Sequence, residues 1–133
     1  QVAGTISASP ATTANQVPTW GQVQEVARPY KVYTAIIQQS GINAPVATVL
    51  ENTLGGTLVW GRTSAGVYTG TLTGAFAFNK TVCFATSASA NVTNKIGIGI
   101  TNANFVTLRA TNSVDVGSDG VVGGLSIEIR VYL

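Results

Sequence analysis

Hydrophobic and polar positions alternate most cleanly at the end of the chain. Leu125, Ile127, Ile129, Val131 and Leu133 alternate with Ser126, Glu128, Arg130 and Tyr132. A strand turns successive side chains to opposite faces, so this period of two predicts a strand with one buried face. The same period sets in at Lys31 and predicts further strands over 31–39, 46–52, 57–62, 66–73, 80–87, 95–102 and 104–111. Turn chemistry separates them. Gly55-Gly56, between the run ending at Glu51 and the run starting at Thr57, predicts a hairpin. Ser64-Ala65-Gly66 and Gly74 supply further turns, and 115–120 reads as a loop whose Asp side chains bond to their own backbone. About eight short strands at this spacing predict an all-β fold, an antiparallel β-sandwich or jelly roll. No long helical pattern alternates with the strands, so a parallel α/β sheet is not expected.

One stretch has a helical period. Residues 1–18 are rich in Ser, Thr, Ala and Pro and read as an extended lead-in. Thr19 with Gln22 three residues on forms a capping-box pattern, and Trp20, Val23 and Ala27 then fall on one face of a short N-terminal helix. Pro29 ends it. Two turns are marginal alone, so the apolar stripe needs a partner, either its own sheet or sister copies. The division that follows is 1–29 as lead-in and helix and 30–133 as the β-sandwich head.

Composition narrows the chemistry. The chain of 133 residues is 45% hydrophobic but only 9% charged, so Thr, Ser, Asn and Gln must supply most of its polar surface. It has no His, which removes the commonest general base and metal ligand. Its single cysteine, Cys83, lies in an apolar run and reads as a buried thiol. Asp115 and Asp119 resemble part of a calcium loop, but no third carboxylate and no closing Glu follow at the right distance. Ile96-Gly97-Ile98-Gly99-Ile100 lacks the helix and Lys-Ser/Thr of a phosphate loop. As a strand it puts two glycines on one face, where an aromatic ring or another subunit is expected to pack. The seven basic residues are scattered, so no nucleic-acid patch is expected, and no apolar stretch is long enough to cross a bilayer.

A glycosidase needs two facing carboxyls. Glu51 and Glu128 are the available pair, and Glu128 is expected instead to pair with a cross-strand base such as Arg109 or Arg62. No catalytic set, metal site or cofactor site is predicted, and the chain does not read as an enzyme. Among the aromatics, Trp60, Tyr68, Phe76, Phe78, Phe84 and Phe105 read mostly as core. Tyr30, Tyr33 and Tyr132 read as surface positions, because tyrosine has an apolar body and a polar tip. Exposed rings among Asn, Gln and Thr are what a glycan-binding face requires.

Two segments carry a family resemblance. Tyr30-Lys31-Val32-Tyr33, Gln38-Gln39-Ser40-Gly41 and the run from Asn43 through Leu54-Gly55-Gly56 to Gly74-Ala75-Phe76 resemble a small β-domain of tailed-phage virion proteins. Ala14-Asn15-Gln16-Val17-Pro18-Thr19-Trp20-Gly21-Gln22-Val23 resembles the short helical segments between shaft and head of phage fibres. Together they cover about half of the chain. The resemblance implies an extracellular virion component, a tail or head fibre knob. It implies a homotrimer bundled through Trp20 and Val23, with Ala27 on the same stripe, and joined to other virion proteins through its N-terminus. Pro18 and Gly21 depart from a long coiled coil. The expected role is attachment to a host cell-surface receptor, with a glycan as the candidate. A capsid decoration protein without a receptor is the alternative, and a glycan depolymerase the third reading. The strong strand reaching Leu133 is expected to be a C-terminus tied into the sheet, and Gln1 points to a processed or trimmed start.

Overall fold

The computed structural model describes residue 17, residues 28–87 and residues 94–133. The expected helix, with Trp20, Val23 and Ala27, lies outside the described residues. Eight strands are present among those described: β1 (Tyr30–Gln38), β2 (Val46–Asn52), β3 (Val59–Ser64), β4 (Val67–Thr71), β5 (Thr81–Ser87), β6 (Lys95–Asn102), β7 (Phe105–Thr111) and β8 (Leu125–Tyr132). A single 3-10 turn, Phe78–Lys80, leads into β5. Each strand overlaps one of the runs expected from the sequence, and the alternation is cleanest in β8.

The strands form two antiparallel four-stranded sheets, in the orders β2-β1-β8-β5 and β3-β4-β7-β6. Inward-facing residues of both sheets build one core. Tyr33, Ala35, Ile37, Ile127, Ile129 and Val131 come from the first sheet, and Trp60, Tyr68, Val106, Leu108 and Ala110 from the second. The indole Nε1 of Trp60 donates to the Tyr33 hydroxyl at 3.3 Å, so one buried hydrogen bond joins the two layers. Burying large rings of this kind contributes on the order of 3–5 kcal/mol each when judged by truncation.

The step from β2 to β3 differs from the expected hairpin. β2 pairs with β1 and β3 pairs with β4, so the chain crosses from one sheet to the other through residues 53–58. Leu54 and Leu58, on either side of Gly55-Gly56, are both buried. A two-residue hairpin would leave them in water; the crossover puts them into the core. Asn52 shapes the bend, accepting from the Leu54 amide at 3.0 Å and donating to the Gly56 carbonyl at 2.8 Å. The turn at Ala65-Gly66 does close a hairpin, between β3 and β4. Gly66 has a φ of +67°, and a Cβ there would lie 2.1 Å from the Ala110 carbonyl oxygen, so only glycine fits.

The loop over 112–120 also differs from the sequence reading. The turn is organised by Asn112, whose Oδ1 accepts from the amides of Val114 and Val116, rather than by the aspartates. Asp119 reaches across the fold instead. Its carboxylate accepts from Arg62 at 2.6 Å, from the Tyr68 hydroxyl at 2.8 Å and from the Gly66 amide at 3.2 Å. Gln39, the only buried polar side chain among the described residues, ties the next turn. It donates to the carbonyls of Gly41 and Asn43 and accepts from the Gly120 amide.

Candidate functional site

The strands of the first sheet are in register across their outer face, and that register sorts the sequence candidates. Thr34 of β1 lies opposite Glu51 of β2 and opposite Glu128 of β8, and Glu128 lies opposite Phe84 of β5. The row Glu51–Thr34–Glu128–Phe84 therefore crosses the whole sheet. The next row places Val82 beside Arg130, and the strand ends place Tyr30 opposite Tyr132. This face carries the largest group of aromatic and charged residues outside the core.

Tyr30 and Tyr132 meet with ring centroids 5.2 Å apart and planes tilted by 55°. The guanidinium of Arg130 lies 4.9 Å from the Tyr30 ring centroid and 5.3 Å from that of Phe84. A cation over a ring face is held by the ring's quadrupole, so Arg130 is the centre of a cluster with Tyr30, Phe84 and Tyr132. Its Nε also donates to the Glu128 carboxylate, and that hydrogen bond holds the guanidinium more firmly charged. Phe84 is 48% exposed and Tyr132 38% exposed. Between Phe84 and Thr34 runs a shallow depression of about 280 Å³, lined also by Thr86, Ser126, Glu128 and Arg130. Hydroxyls, one ion pair and open ring faces thus stand together on a rigid sheet.

Two of the three candidate surface tyrosines, Tyr30 and Tyr132, belong to this cluster. The third does not. Tyr33 is completely buried, because it shares its parity on β1 with Ala35 and Ile37 and points between the sheets. Burial pushes its hydroxyl above the usual tyrosine range. The sequence reading placed Phe84 and Phe78 with the core aromatics, and both are exposed. Phe84 occupies an outward position of β5, and Phe78 sits in the 3-10 turn before it. Phe105 is half-buried, while Trp60, Tyr68 and Phe76 are core.

The two glutamates share a row but are not poised as an acid–base pair. Arg28 bonds to Glu51, and Arg130 bonds to Glu128. The expected partners Arg109 and Arg62 belong to the other sheet, whereas Arg130 stands two residues along the same face of β8. Asp115 pairs with Lys95 at 2.6 Å. Asp119 is held well below the usual carboxylate range, first by Arg62 and then by the Tyr68 hydroxyl and the Gly66 amide. Burial and the Asp119 hydrogen bond raise the Tyr68 hydroxyl in turn. Cys83 is half-buried among apolar neighbours, and that burial pushes its thiol up to about 11, far from a reactive thiolate at neutral pH. No group of three or more His, Cys, Asp or Glu among the described residues has the arrangement of a metal site.

The outer face of the second sheet offers the opposite chemistry. Its rows bring Gly61, Thr69, Thr107 and Gly99 into line, with Val67, Arg109 and Gly97 beside them. Thr63 bonds to Thr69, and Thr101 to Thr107, through their hydroxyls. The ring expected over Gly97 and Gly99 is not supplied by the described residues, since nothing lies within 4 Å of where a Cβ would stand at either one.

Comparison with known proteins finds no family model, no curated protein and no solved structure that matches the chain.

Proposed function

We propose that this domain is a non-catalytic binding head, displayed outside the cell on a virion fibre or spike, which attaches to a glycan on a host surface. The observation that carries the reading is the exposed cluster of Tyr30, Phe84, Arg130 and Tyr132 on the open face of the first sheet. Sugars present apolar ring faces and neutral hydroxyls. The exposed Phe84 ring next to Thr34, Thr86 and Ser126 matches both. Binding is favoured over cleavage because Glu51 and Glu128 are each engaged by an arginine, Arg28 and Arg130, instead of being left free to face a substrate.

In this reading the sandwich is the head of the fibre. It follows a short helix over 19–27 that bundles three copies through Trp20, Val23 and Ala27 and joins the rest of the particle through the N-terminus. Three weak sites on one stiff body then gain strength by avidity. The Thr- and Gly-rich face of the second sheet, with few charges, favours a second reading, a decoration protein packed on a capsid shell.

A glycan-array screen of the oligomer tests the first reading, with Phe84→Ala and Arg130→Ala run in parallel. Saturable binding to a defined glycan, weakened by either substitution, is the expected result. Binding to empty capsids with no signal on the array or on host cells would replace it with the second.

A further inference from the structure

The charge inventory leaves a remainder. Each acidic residue among those described, Glu51, Asp115, Asp119 and Glu128, has its own cation: Arg28, Lys95, Arg62 and Arg130 respectively. Three bases among the described residues form no ion pair: Lys31, Lys80 and Arg109. Two of the three, Lys31 and Lys80, line the same cleft, at the end of the sandwich where the first sheet meets the 72–77 turn.

The register explains why they meet. Lys31 lies opposite Val131, and Val131 lies opposite Thr81, so Lys31 and Thr81 are two strand spacings apart, roughly 10 Å. Lys80 directly precedes Thr81. Lys31 has the inward parity of Tyr33 and Ala35, but it comes at the strand end, beyond the closed core, and is exposed. The cleft between the lysines has a volume of about 340 Å³, within the usual size range of small-ligand pockets. Its lining mixes the apolar side chains of Leu54, Leu72 and Val131 with Thr73, the turn backbone and Tyr132. Leu133 also lines it. Tyr132 is shared with the aromatic cluster through its contact with Tyr30, so the cleft continues that surface around the end of the sheet.

We propose that this cleft is an acidic-sugar subsite. Lys31 and Lys80 hold the carboxylate of a hexuronic-acid-type residue, and its ring face lies against Leu54, Leu72 and Tyr132. The inference rests on the reading of the domain as a glycan-binding head and names the sugar class that the head selects. Two ammonium groups without an ion-pair partner beside apolar side chains suit a ligand with a charged end and an apolar face. A carboxylate gains charge-assisted hydrogen bonds from them that a neutral sugar does not.

The test is an NMR titration of the full chain with sodium glucuronate, glucose and inorganic phosphate. Glucuronate is expected to shift the backbone amides of Lys31, Lys80 and Tyr132 saturably. Glucose and phosphate should each bind about tenfold more weakly or worse, since each lacks one of the two contacts. Salt should weaken glucuronate binding further. The double variant Lys31→Gln/Lys80→Gln should lose the glucuronate response. Arg109→Gln, the third unpaired cation and far from the cleft, should keep it. Equal affinity for glucose and glucuronate would overturn the proposal. So would equal affinity for phosphate and glucuronate, or an unchanged response in the double variant. If a neutral glycan still shifts Phe84 and Arg130 while the lysines stay silent, the binding head stands and only the acidic subsite falls. If no sugar shifts either region, the binding head itself falls.

Discussion

The two outer faces of the sandwich are built on the same backbone geometry and carry opposite chemistry. On the first sheet the outward positions include Tyr30, Thr34, Glu51, Val82, Phe84, Glu128, Arg130 and Tyr132, with Val32 buried among them. On the second they are mainly Thr69, Thr71, Thr107 and the glycines Gly61, Gly97 and Gly99. The inward positions of both sheets are almost uniformly apolar. The fold therefore depends on one parity and the function on the other, and the two can be altered separately. In the first sheet the outward parity combines rings with charge, which gives a directional surface. In the second it gives a Thr- and Gly-rich surface with few charges and threonine hydroxyls bonded to one another.

The largest expected effects come from the core that both faces share. Tyr33→Ala removes a fully buried ring and the hydrogen bond from Trp60. It should cost about 3–5 kcal/mol in chemical denaturation and weaken every surface at once. Gly66→Ala should cost on the order of 1–3 kcal/mol, because its φ is +67° and the added carbon meets the Ala110 carbonyl. Gln39→Leu should cost a similar ~1–3 kcal/mol, since the Gly120 amide and two carbonyls lose their partner.

Acid unfolding separates the core from the loop that Asp119 holds. The folded state depresses the Asp119 pKa, so its stabilisation is fully present above the unfolded value of about 4. It is lost as pH falls from there towards the folded value. Urea unfolding followed from pH 6 downward should therefore show falling stability below about pH 4. Asp119→Asn should lower the midpoint at neutral pH and flatten that acid limb.

The smallest effects on stability, and the sharpest on the comparison, lie on the outer faces. Phe84→Ala should change stability by no more than about 1 kcal/mol, because the ring is half exposed, yet it should weaken binding. Gly97→Thr should change stability by about 0.5 kcal/mol or less and leave binding unchanged, since its Cβ would meet open space.

Much of this fold was legible as pattern. The runs marked by alternation and turn chemistry overlap all eight strands, most cleanly in β8, where buried and outward residues alternate throughout. Tyr132 could be placed outward from its company on β8, with Ser126, Glu128 and Arg130. Tyr33 could also have been placed correctly: the even positions of β1 include Thr34 and Gln38, while the odd ones after Lys31 are Tyr33, Ala35 and Ile37. Strand pairing was harder to read. Gly55-Gly56 permits a hairpin or a crossover equally, and only the buried leucines beside it decide. Asp119 finds Arg62 across 57 residues, and no local spacing signals such a partner. Arg130 stands between Tyr30 and Phe84 because β1 and β5 both flank β8, which is a fact of topology.

The most direct test of the central claim is a hydrogen–deuterium exchange footprint of the intact protein on the glycan it captures. Protection confined to β1, β5 and β8, around Tyr30, Phe84 and Arg130, is the expected result. Protection confined to β4, β6 and β7, with the first sheet exchanging as freely as in the unbound protein, would contradict it.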